Sequence, residues 1–162
     1  MIETRSHTVL SIRPLTIEEL PLCEPYGRAF HAEKDVPGEF SIETFVKNWT
    51  EFLSRYNGIM LGLWDGETLV GGLGGIVCPD LTTGIMTANE FFLFVDETHR
   101  GGTNWIKLVN QFREFGRSKG AQRLRLARMV PKGEDPLGSR LDRAYRRIWK
   151  VRPVEVGYDG PI

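Results

Sequence analysis

Cysteine is scarce in this chain. Cys23 and Cys78 are the only two in 162 residues; they lack CxxC spacing and are too few for a disulfide framework. A net charge is missing as well, since 21 Lys and Arg balance 21 Asp and Glu. That balance speaks against nucleic acid as a partner, which favours an overall basic domain. The apolar runs fall far short of the roughly 20 residues that span a bilayer, so no membrane partner is expected. The three histidines, His7, His31 and His99, are scattered and show no HExxH spacing, which gives no metal site. No repeat or low-complexity tract appears, and no charged-then-apolar leader opens the chain. A single cytoplasmic domain with its thiols reduced is the expectation.

What is present is unevenly distributed. Residues 1–99 hold 6 Lys and Arg against 15 Asp and Glu, and residues 100–162 hold 15 against 6. Two oppositely charged sides of a cleft, or two halves that simply attract one another, both account for this.

The periodicity changes along the chain. TVLSIR, ended by Pro14, reads as a first strand. Thr16 and Glu19 match a capping box, but Pro21, Pro25 and Gly27 follow, so an irregular helix is expected through Tyr26, Ala29 and Phe30. Residues 33–40 read as a loop. Ser41 caps a second helix whose Ile42, Phe45, Val46, Trp49, Phe52 and Leu53 form one apolar stripe. Asn57-Gly58 stops it. IMLGLW and TLVGGLGGIVC, joined by Asp65-Gly66, read as a hairpin, and IMTANEFFLFV as a third antiparallel strand. Gly71, Gly72, Gly74 and Gly75 have strand-like residues on both sides. They are therefore read as close approaches or a bulge and not as a dinucleotide loop.

The stretch NEFFLFVDETHRGGTNWIKLVNQFREFGRSKG organises the rest. It reads as a buried strand, a tight turn, and an amphipathic helix closed by Gly120. A helix N-terminus leaves main-chain N–H groups outside its own ladder and carries a partial positive charge, which suits an anion. RLRLAR then reads as a strand, SRLDRAYRRIW as a basic helix, and VRPVEVGY as a last strand.

This order, with VDETHRGGTNW between the fourth strand and third helix, resembles the GNAT superfamily of acyl-CoA-dependent N-acetyltransferases, which includes compact members encoded by bacteriophages. The resemblance runs from about Leu10 to Tyr158. It implies an α+β fold with a mixed, mostly antiparallel central sheet flanked by helices, spanning 1–162 as one domain. In that family the fourth strand often ends in V-x-P-x-x-R-G-x-G-x-G, whose main-chain N–H groups cradle an acyl-CoA pyrophosphate. Val95, Arg100 and Gly101 fit in place, Asp96-Glu97 replaces x-P, and Thr103 and Trp105 replace the later glycines.

The resemblance thus implies acetyl-CoA as acyl donor. It would be bound by Leu93, Phe94 and Val95 through main chain, and by the turn Arg100, Gly101, Gly102, Thr103, Asn104 and Trp105. A small-molecule amine or a protein or peptide amine would be the acceptor. Catalytic roles fall to Glu90, as the base near the acceptor, and to Tyr145, which would protonate the leaving thiolate. The residues themselves leave alternatives. Glu90 is either a desolvated carboxylate with a raised pKa or a residue at the start of the strand, in solvent or paired with one of the arginines, and Tyr145 is either catalytic or a packing residue. His99 is read as a solvent-facing loop residue. Glu33, Asp35 and Glu39 would favour a cationic acceptor. Strand edges allow a homodimer. The alternative to an enzyme is a non-catalytic GNAT-fold module that binds a protein partner, favoured by the lost glycines.

Overall fold

A computed structural model describes residues 10–34, 38–100, 102–127 and 140–152. The chain forms two compact units, Met1–Arg128 and Met129–Ile162. The first holds strands β1 (Leu10–Pro14), β2 (Gly58–Asp65), β3 (Thr68–Pro79), β4 (Met86–Val95) and β5 (Arg123–Arg125), with helices α1 (Glu24–Lys34), α2 (Ile42–Arg55) and α3 (Asn104–Ser118). The second holds α4 (Arg140–Trp149). Val151 and Arg152, the first two residues of the proposed last strand, are not in a strand, and the rest of it, like Gly101, lies outside the described residues.

The strands lie in the order β1-β2-β3-β4-β5. The first three pairings are antiparallel and β4–β5 is parallel, so the sheet is mixed and mostly antiparallel. Local chemistry fixes the boundaries. The Glu19 carboxylate accepts the Thr16 N–H at 3.0 Å and pairs with Arg13 at 2.7 Å, starting a 3-10 helix, Ile17–Cys23, that contains Pro21. Tighter 3-10 pairing accommodates this proline before α1 begins. The Ser41 hydroxyl accepts the Thr44 N–H at 3.2 Å, which caps α2. Gly66 turns β2 into β3 at φ 60°, and the Asp80 carboxylate gathers the N–H groups of Thr82 and Thr83 at 3.1 and 3.0 Å to turn β3 into β4. Helix α1 runs into the stretch read as loop, and β5 is three residues long, shorter than the RLRLAR periodicity implied.

Each face of the sheet carries its own core. On one, Met60, Trp64, Leu69, Phe92 and Phe94 pack with Trp49, Leu20, Cys23 and the inward sides of α1 and α2. Burial pushes the Cys23 thiol up to about 12, so it is an inert hydrophobe. On the other, Leu108, Val109 and Phe112 of α3 are fully buried. Helix and sheet approach closely there: a Cβ on Gly116 would sit 2.8 Å from the Ala88 Cβ, and one on Gly75 would sit 2.5 Å from the Phe112 ring. Among the described residues no helix is long and apolar enough to cross a membrane.

Candidate active site

The site is built on an irregularity in β4. Gly75 pairs with Glu90 and Gly74 with Phe92, leaving Phe91 as an extra residue, a β-bulge. The bulge breaks the alternation of side chains. Phe91 lies 6.0 Å from the Phe52 ring and Phe92 lies 5.7 Å from the Phe30 ring, so two consecutive residues face the α1–α2 side. The close contact of Phe112 with the Gly75 main chain supports this place from the other face.

At the same point β4 loses its neighbour. Strand β5 pairs with β4 only over Thr87–Asn89. From Glu90 onward that edge of β4 carries no further paired strand among the described residues. The Glu90 side chain reaches across instead: its carboxylate accepts the Ala127 N–H at 2.9 Å. Glu90 is 4% exposed. Burial pushes its carboxyl up to about 7, with the Ala127 N–H partly offsetting the rise. It is thus neither at the strand end nor in solvent. It is a carboxylate that can hold or release a proton near neutrality.

Downstream, the turn folds tightly. The Asp96 N–H donates to the Val70 carbonyl at 2.8 Å, and its carboxylate accepts the Thr98 N–H at 3.2 Å. The Thr98 hydroxyl, foremost, holds Asp96 below the usual carboxylate range. His99 is not solvent-facing. Its ring lies 3.3 Å from the Asp65 carboxylate and 3.4 Å from that of Asp96, tying the turn to the β2–β3 hairpin. The Arg100 guanidinium also turns back, donating to the Val95 carbonyl at 2.8 Å and lying 5.1 Å over the Phe94 ring. The Asn104 amide donates to the His99 carbonyl at 3.2 Å. These side chains build the turn. The start of α3 presents main chain: Gly102 at φ 78° with open space where a Cβ would lie, exposed Thr103, and the first helical turn. Trp105, in that first turn, is half-buried. Leu93 and Val95 lie on the β4 edge beyond the bulge, while Phe94 is buried in the α1–α2 core.

In the second unit, Tyr145 and Trp149 are one turn apart on α4, both buried, with ring centroids 5.5 Å apart. Of the acidic loop residues only Glu39 has a described side chain, and it is exposed. Sequence periodicity missed a cavity of about 240 Å³ between α1, α2 and the bulge, walled by aromatic rings. Its signal was the density of aromatics from Tyr26 to Tyr56, which the α2 stripe had assigned wholly to the core. Among the described residues no cluster of ligating side chains could hold a metal.

No family model and no curated protein matches the chain, but solved structures share its fold. An aminoglycoside acetyltransferase from an uncultured soil metagenomic sample is 19% identical at a TM-score of 0.71, covering 94% of this chain and 96% of its own. A ribosomal-protein-alanine N-acetyltransferase from Brucella melitensis biovar Abortus 2308 is 15% identical at 0.63, covering 95% and 98%. A predicted acetyltransferase with acetyl-CoA from Clostridium acetobutylicum is 9% identical at 0.72, covering 94% and 96%. At these identities the likeness is one of architecture: the chain has the fold of the GNAT acetyltransferases.

Proposed function

We propose that the protein is an acyl-CoA-dependent N-acetyltransferase that moves an acetyl group from acetyl-CoA to an amine by direct attack in a ternary complex, residues 1–162 acting as one domain. The observation that carries this reading is Glu90: a buried carboxylate, at a bulge, beside the edge of β4 that no described strand pairs beyond Asn89, with its pKa raised to about 7. A general base is most useful when its pKa lies near the working pH.

In this reading Glu90 takes a proton from the acceptor ammonium, directly or through water, so that the neutral amine can attack the thioester carbon. Main-chain N–H groups of Leu93–Val95 bind the pantetheine arm and polarise the thioester carbonyl, an oxyanion-hole role. Tyr145 gives its hydroxyl proton to the departing thiolate. The pyrophosphate sits against Gly102, Thr103 and the first turn of α3, where partial positive charge and main-chain donors suit it. Arg100 contributes by holding Val95 and Phe94 in place, its guanidinium being engaged there. Trp105 forms a wall of this cradle. The soil aminoglycoside enzyme and the Brucella protein-alanine enzyme share the fold, which supports an amine acceptor.

The test is amine-dependent release of coenzyme A thiol from acetyl-CoA. Release that rises with added amine, and falls by at least about tenfold in Tyr145→Phe, is expected; no release with any amine would sink the proposal. A separate outcome concerns the cradle. Gly102 adopts a left-handed φ of 78°, which costs a β-branched residue about 1–2 kcal/mol. Gly102→Val is expected to lose about that much stability in urea unfolding and to weaken acetyl-CoA binding in calorimetric titration, with a smaller change in kcat than in KM for acetyl-CoA.

A further inference from the structure

The aromatic cavity points to the chemistry of the acceptor, on the premise that the acetyltransferase reading holds. We propose that it holds a flat aromatic ring carried by the acceptor amine, making the acceptor class arylalkyl primary amines and not polycationic ones.

Three observations carry this. The first is the composition of the wall. Phe30, Phe40, Phe45, Trp49, Phe52 and Phe91 line it, and none of its described lining residues is an Asp, Glu, Lys or Arg. A polycation seated there would meet no counterion among these residues, whereas a ring finds edges and faces to meet. Neighbouring walls are already tilted for such packing: Phe45 and Phe92 meet edge to face at 5.9 Å and 67°, the arrangement aromatic quadrupoles favour.

The second is size. An apolar cavity of about 150 Å³ holds benzene, and this one measures about 240 Å³, room for a one- or two-ring group. Gly27 helps to shape it, because a Cβ there would lie 2.2 Å from the Phe40 ring, so Phe40 lies directly on the α1 backbone.

The third is an unmet polar atom. His31 Nδ1, on a residue that lines the cavity, is buried and has no hydrogen-bond partner among the described residues. A buried polar atom left unpaired is costly, and a ligand ring bearing a hydroxyl or N–H would satisfy it. The bulge residues Phe91 and Phe92 form one wall and directly follow Glu90 in β4, whose own side chain lies on the α3 face, as does its partner Gly75 against Phe112. An acceptor with its ring in the cavity would pass its amine round the β4 edge at the bulge, which an alkyl arm allows and a ring-borne amine does not.

Calorimetric titration in saturating coenzyme A tests this without requiring turnover. The ligands are tryptamine, tyramine and phenethylamine, with spermidine and sisomicin as polycations. The aryl amines are expected to bind at least tenfold more tightly than the polycations. Phe91→Ala, at a half-exposed position where folding tolerates truncation, is expected to weaken aryl-amine binding at least tenfold. His31→Leu is expected to erase the advantage of tyramine and tryptamine over phenethylamine. Equal or tighter binding of spermidine or sisomicin, no aryl-amine binding, or an unchanged Kd in Phe91→Ala would each overturn the assignment. Aryl-amine binding without acetyl transfer would overturn the enzymatic reading and leave the cavity assignment standing.

Discussion

Glu90→Gln is expected to slow acetyl transfer by about 10²- to 10⁴-fold and, at the same time, to make the protein more stable at pH 8. Both effects come from one burial. The unfolded carboxyl ionises near the ordinary value of 4.5, and the folded one near 7. Between those values the folded state keeps a proton that the unfolded state has released, so stability falls as pH rises through this window and levels off above it. The ionised carboxylate therefore costs the fold on the order of 3 kcal/mol at pH 8. Glutamine stays neutral, and its amide oxygen can still accept the Ala127 N–H. Urea unfolding of both proteins at pH 8 and pH 5 measures the difference, which should be large at the first pH and shrink toward the second. The pH profile gives a second readout. Wild-type kcat/KM should rise through about pH 7, and the residual rate of Glu90→Gln should lack that inflection. A variant that is both unchanged in turnover and no more stable at pH 8 would remove Glu90 from the site.

Phe112→Ala should cost about 3–5 kcal/mol of folding stability, the range for emptying a fully buried aromatic position. Phe112 is completely buried, and its ring would lie 2.5 Å from a Cβ at Gly75. The absence of that Cβ lets the ring press on the backbone opposite Glu90. The cavity left by the substitution lies directly under the bulge, so activity should fall beyond what the unfolded fraction explains. Urea unfolding gives the stability loss. Turnover measured in low urea, corrected for folded fraction, separates the two effects. A loss below about 1 kcal/mol would mean that the α3 face is not packed as described.

These two residues also mark what the sequence could convey. Phe112 belongs to a stripe at helical spacing, Ser41 and Gly120 stand at helix ends, and Asp65-Gly66 lies between two β-rich runs. Local chemistry specifies each of these, and each appears in the fold where the pattern put it. Glu90 stood out because a charge inside NEFFLFV demands an explanation. The bulge beside it had no such signal, since Phe91 and Phe92 are equally apolar and only pairing with Gly74 and Gly75 shows which is extra. The aromatic cavity was hidden for the same reason: residues at helical spacing look alike whether they fill a core or line a hollow. Arg100 and His99 were placed by motif position and loop context, but their side chains are committed to the Val95 carbonyl and Asp65, contacts no local pattern encodes. The parallel β4–β5 pairing is likewise a long-range choice, and its brevity leaves the rest of that β4 edge without a strand partner among the described residues.

In the proposed reading the acyl-CoA pyrophosphate would rest on main chain around Gly102 and Thr103, with Trp105 as the residue able to close that place. Thermal unfolding with and without millimolar acetyl-CoA tests the central claim most directly. A ligand that binds only the folded state adds about 2.7 kcal/mol at a hundredfold excess over its Kd, which raises the melting temperature of a domain this size by roughly 5–10 °C. A rise of that order is the expected result. An unchanged melting temperature would contradict acyl-CoA-dependent transfer and leave a GNAT-fold module without catalysis.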